Sequence, residues 1–98
     1  MFTGLVRKSL DDDEYRALQL TLLLRPEQGP LIPGSGGLRK IRWGKEGHGK
    51  RGGLRVIYYW DKPSSRCFMP FLYAKNEQGD LTPSQVRTLA RLVREEFR

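Results

Sequence analysis

Seven basic side chains fall between Leu38 and Trp60 (Arg39, Lys40, Arg42, Lys45, Lys50, Arg51 and Arg55), against one acid, Glu46. This block carries +6 of the chain's formal +7; residues 1–37 sum to −1 and 61–98 to +2, so the positive charge is a local feature. Guanidinium groups grip phosphate bidentately, lysine is a compact charge with a shiftable pKa, and tyrosine adds a ring face or a hydroxyl. On ideal strand alternation Lys40 and Arg42 share one face, Arg55 projects from a neighbouring strand, and Tyr73 and Lys75 project together from a third. Such a cluster fits a polyanionic partner: RNA, DNA, a ribosome or an acidic protein.

Other chemistries find less support. Gly44, Gly49 and Lys50 satisfy G-x-x-x-x-G-K, but Arg51 replaces the Ser/Thr that would hold magnesium, and a strand follows where a nucleotide-binding loop needs a helix. His48 is the only histidine and Cys67 the only cysteine; they lie nineteen residues apart, which is no metal-ligand spacing. No metal and no cofactor are expected. No serine sits in a nucleophile motif. A single cysteine excludes an internal disulfide and fits a reducing compartment. The acidic run Asp11–Glu14 interrupts the N-terminal segment before an apolar leader core forms, and no apolar run approaches the ~20 residues that span a bilayer. The expectation is a soluble, cytoplasmic protein.

Ninety-eight residues suit one domain, 1–98, with a single modest core. Phe2, Leu5, Val6 and Leu10 have helical spacing. Asp11 and Glu14 form a capping-box pair that starts a second helix lined by Tyr15, Leu18 and Leu22, widened by Leu23 and stopped by Pro26. These two helices are expected to form an antiparallel hairpin. A Gly/Pro loop over 27–37 tucks Leu31 and Ile32 inward. Strands are expected over 38–43, 54–60 and 67–75. Leu54, Val56, Tyr58 and Trp60 take one face of the central strand; Arg55, Ile57 and Tyr59 take the other. Pro70 has no N–H for a ladder, so the third strand is an edge or bulged. Thr82-Pro83-Ser84-Gln85 opens a final helix, with Val86, Leu89, Ala90, Val93 and Phe97 on its core face and Arg87, Arg91, Arg94 and Arg98 outside. The fold class is α+β: helical hairpin, three-stranded antiparallel sheet, C-terminal helix.

The segments GGLRKIRW (36–43), GKRGGLRVIYYW (49–60), LYAKNE (72–77) and DLTPSQ (80–85) resemble, in this order and spacing, the RelE/HigB-like toxins of bacterial type II toxin–antitoxin systems. The resemblance runs from about Asp13 to the C-terminus. It implies a RelE-like fold and a ribosome-dependent messenger-RNA endoribonuclease (an mRNA interferase) that inhibits translation. The implied partners are the ribosome, mRNA and a cognate helix-turn-helix antitoxin. Relatives usually begin with a strand that pairs with the last strand of the sheet. Its absence here implies an exposed edge at 67–75, open to self-association, and a fold less stable than full-length relatives.

The same resemblance implies metal-free cleavage by attack of a 2′-hydroxyl on the adjacent phosphate. Lys75 or Lys50 is the candidate base and Arg55 the candidate stabiliser of transition-state charge. Arg51, Arg42 and Lys40 are candidate phosphate-binding residues, and Tyr73 orients or stacks a nucleobase. Two alternatives stand beside it: an RNA- or antitoxin-binding module that has lost cleavage, and a gyrase-inhibiting relative, because fold alone does not fix a target.

Overall fold

The computed structural model describes residues 12–43, 53–74 and 78–97. Its elements run α1 (Asp12–Leu24), β1 (Arg39–Trp43), β2 (Leu54–Asp61), β3 (Arg66–Ala74) and α2 (Pro83–Phe97). The three strands form one antiparallel sheet in the order β1-β2-β3. The class is α+β. Among the described residues the order is helix, sheet, helix rather than hairpin, sheet, helix; the expected first helix lies outside the described residues, as does the Asp11 cap.

Each helix takes one face of the sheet. Asp12, Asp13 and Glu14 favour the positive end of α1, and the helix ends two residues before Pro26. Tyr15, Leu18 and Leu22 form its buried stripe, packed with Val56, Tyr58, Cys67 and Met69. Leu23, expected to widen that stripe, is 49% exposed, because it falls one step past Leu22 around the helix. On the opposite face α2 packs Leu89 and Val93 against Leu38, Ile57 and Tyr73, with Tyr59, Phe68, Phe71 and Phe97 around them. The capping box at α2 is formed on both arms: Gln85 N–H donates to Thr82 Oγ1 at 3.1 Å, and Thr82 N–H donates to Gln85 Oε1 at 2.9 Å.

Pro70 meets both parts of its expectation. Among the described residues β3 pairs only with β2, which puts it at the edge of the described sheet. Between the pairs Ile57↔Phe71 and Tyr59↔Phe68, β2 supplies one residue, Tyr58, and β3 supplies two, Met69 and Pro70. That is a bulge, where the missing N–H costs no ladder bond. The bulge also shifts the phase of the strand. Cys67 and Met69 face α1, yet Phe71 and Tyr73, which would follow them on strict alternation, face α2.

The β1 edge is partly covered. Leu31 bridges Arg39, Ile32 N–H donates to Leu38 O at 2.8 Å, and Lys40 N–H donates to Pro30 O at 3.2 Å. Ile32 joins the α2-side core as expected, but Leu31 is 58% exposed, because neighbours on an extended segment point opposite ways. Cys67 is buried, and burial pushes its thiol up to about 12.

Candidate functional site

Register decides which charged residues meet. Arg42 pairs with Arg55, and Arg55 pairs with Tyr73. Directly paired residues share a face, so these three form a row across the whole sheet on the α2 side. Lys40 lies two residues from Arg42 and joins them. The phase shift at Pro70 is what turns Tyr73 to this face. Four of the seven sequence-derived site residues therefore converge. The other three, Lys50, Arg51 and Lys75, lie outside the described residues.

The row ends in a cleft of about 410 Å³. Gln28, Gly29 and Pro30 form one wall; Lys40, Ile41 and Arg42 form the other, and Arg55 completes the lining. Among the described residues the lining holds three cations and no carboxylate, and the volume suits a small ligand. The Gln28–Pro30 wall was invisible in the sequence, where it reads only as part of a Gly/Pro loop. Gly29 is required there: a Cβ would meet Lys40 O at 2.8 Å and Ile41 Cγ2 at 2.7 Å.

The four side chains differ in access. Arg42 is exposed, whereas Arg55 is 8% exposed and Tyr73 only 5%. Lys40 Nζ contacts Asp80 Oδ1 at 3.2 Å in a partly exposed ion pair. Asp80 also accepts from Leu81 N–H at 2.8 Å; that backbone bond, then Lys40, holds its carboxyl below the ordinary value. Asp80 was not singled out from sequence, and nothing in its spacing marks it as a partner for a lysine forty residues away.

Tyr73 is placed differently from its expected stacking role. Its ring lies in the core cluster with Leu89 and Val93 and offers no open face to a nucleobase. Its hydroxyl is buried without a hydrogen-bond partner among the described residues. Burial raises its pKa, Lys40 and Arg55 act to lower it, and Asp80 acts to raise it.

Chemically, the arrangement concentrates positive charge beside a cleft on a rigid sheet. It can hold a phosphate and stabilise extra negative charge that builds up on it. Among the described residues no group of His, Cys, Asp and Glu is arranged to hold a metal ion, and no helix is long and apolar enough to cross a membrane. No protein-family model matches the chain.

Proposed function

We propose that this chain is the toxin of a type II toxin–antitoxin pair, a RelE/HigB-like endoribonuclease that cuts messenger RNA on the ribosome. The observation that carries this reading is the in-register row Arg42–Arg55–Tyr73, with Lys40 beside it and the cationic cleft at its end. The row joins the segments on which the resemblance rests. In the reaction a base removes the proton of a 2′-hydroxyl, and the resulting oxygen attacks the neighbouring phosphorus. The bond from phosphorus to the 5′ oxygen breaks, and that oxygen takes a proton. The products are a 2′,3′-cyclic phosphate and a 5′-hydroxyl end.

Lys75 or Lys50 is the base, since clustered cations lower a lysine's pKa. Arg55 stabilises the charge on the pentacoordinate phosphorus. Arg42, Arg51 and Lys40 hold flanking phosphates. Tyr73, with ring and hydroxyl both buried, supports the row from within the core rather than stacking on a base. A helix-turn-helix antitoxin neutralises the protein in the cytoplasm.

The test is cleavage of a translated message by purified ribosomes with the full chain added. Arg55→Ala is expected to cut at least about 10²-fold more slowly, as when one transition-state interaction is removed. Full translation arrest by Arg55→Ala rejects the assigned role.

A second reading is a non-catalytic RNA- or antitoxin-binding module. It is favoured by the low exposure of Arg55 and Tyr73 and by the engagement of Lys40 with Asp80. It is discriminated by an intact message together with salt-sensitive RNA affinity.

A further inference from the structure

The arginine face of α2 continues the cationic surface of the sheet. Helical geometry puts successive residues about 100° apart, so Arg87, Arg91 and Arg94 stand on one flank of α2, clear of its core line through Leu89, Ala90 and Val93. All three are exposed, and none forms an ion pair with a described residue. The other flank is placed by its neighbours. Gln85 and Thr88 line a groove with Phe71 of β3, and Glu96 pairs with Arg66 of β3 at 3.8 Å. The arginine flank therefore looks the opposite way, toward the β1 side of the sheet.

The direction of the helix is fixed as well. Its entry is tied beside the site, where Asp80 meets Lys40. Its end packs at the far side of the sheet, where Phe97 meets Tyr59 and Phe68 at ring distances of 5.0 and 5.8 Å. Arg87, Arg91 and Arg94 thus lead away from Lys40 and Arg42 over about 10 Å of helix axis.

We infer that this flank is a track for the phosphate backbone of single-stranded RNA whose neighbouring segment occupies the Lys40/Arg42/Arg55 cleft. The inference rests on the proposed RNA function and adds a second surface to it. Three guanidinium groups, without acidic partners among the described residues and in line with a cationic cleft, complement a polyanionic strand. Such a strand spans more length than the cleft alone can cover.

The experiment measures binding of the full chain to 2′-O-methyl RNA, which cannot be cut, with a short oligonucleotide of about four residues and a longer one of about twelve. The triple variant Arg87→Gln/Arg91→Gln/Arg94→Gln is expected to bind the longer RNA roughly tenfold more weakly. Its slope of log affinity against log salt should be shallower by roughly 2, at about 0.7 for each single-strand phosphate that is no longer neutralised. Binding of the short RNA should stay unchanged, which a merely unfolded variant would not show. The single variant Arg91→Gln repeats the test with less disturbance of the helix.

Unchanged affinity of the triple variant for the longer RNA overturns the track and leaves the cleft standing. Failure of the wild-type chain to bind either RNA also overturns the track, whereas the RNA function itself is rejected by an intact message in the ribosome cleavage assay. Poly-glutamate binding that the triple variant loses, beside unchanged RNA binding, overturns the RNA track and assigns the flank to an acidic protein.

Discussion

Tyr58 and Tyr73 stand on opposite faces of one sheet, both with hydroxyls out of reach of solvent, and their surroundings differ sharply. Tyr58, on the α1 face, donates to Pro26 O at 2.8 Å and accepts from Gly29 N–H at 3.0 Å. Its pKa is raised by burial, and the Gly29 bond and Arg39 pull the other way. Arg39, on the same face, donates to Gly29 O at 2.7 Å and to Glu27 O at 3.1 Å. That face uses its polar groups to pin the loop after α1 onto the sheet. Tyr73, on the α2 face, has no such partner among the described residues and sits in the field of Lys40, Arg55 and Asp80. Buried polar groups normally find partners, and local rules are broken most often where function requires it. The contrast separates a face that holds the fold from a face that holds the charge.

The largest effect should come from the holding face. Leu18 has no exposed surface and lies at the centre of the α1 stripe. Leu18→Ala should lower unfolding free energy by about 2–5 kcal/mol, the range for leucine truncation with a residual cavity. Urea denaturation measures it. A drop well below that range would mean that α1 is not the chief cover of this face.

Tyr58→Phe comes next. It strands the buried Gly29 N–H and the part-buried Pro26 O at once. Leaving a buried group unsatisfied costs about 1–3 kcal/mol, and the denaturation midpoint should fall accordingly with an unchanged slope. A neutral result would remove the asymmetry between the two tyrosines from one side.

Part of this division is legible in the sequence alone. Alternation over Leu54–Trp60 assigned both faces of β2 correctly, because a strand between two covering layers must bury both of its sides. The Thr82–Gln85 capping box and the α2 core line were equally plain, since local hydrogen bonding and helical period decide them. Convergence of Lys40, Arg42, Arg55 and Tyr73 on one face followed from alternation too, but only by counting β3 from its C-terminal end. Counted from Cys67, the same rule puts Tyr73 on the wrong face; proline announces an edge or a bulge without saying which way the phase moves.

Long-range polar pairing was not legible at all. Asp80 meets Lys40 only because α2 docks where it does. Ser35, in a loop that reads as mere Gly/Pro linker, is fully buried; it donates to Ile32 O at 2.6 Å and accepts from Leu38 N–H at 3.0 Å. That small turn launches β1 in the register on which the row depends.

A smaller effect is expected at the charged face. Asp80 is depressed below 3.8, first by the Leu81 amide and then by Lys40. A carboxyl lowered in the fold adds stability that is present above its unfolded value and is lost as pH falls through its folded value. The contribution should therefore disappear only in acid, below about pH 3.8. With the Asp80 side chain 71% exposed, solvent screening limits the pair to about 0–1 kcal/mol. Asp80→Asn should accordingly cost little at pH 7 and flatten the acid limb of stability against pH. By freeing Lys40 it should also strengthen RNA binding; weaker binding would mean that Asp80 positions Lys40 rather than competing with the ligand.

The smallest stability change is expected at Tyr73, and it is the sharpest test of the contrast. With no hydrogen bond to a described residue to lose, the hydroxyl leaves no described partner stranded when it is removed, so Tyr73→Phe should be near neutral or slightly stabilising. The ring stays in place against Leu89 and Val93, and the packing of α2 is preserved. If the hydroxyl serves the proposed reaction, cleavage on the ribosome should fall while the denaturation midpoint stays put. A midpoint that drops as far as that of Tyr58→Phe would show that the hydroxyl is satisfied in solution, and the two faces would then differ in charge alone.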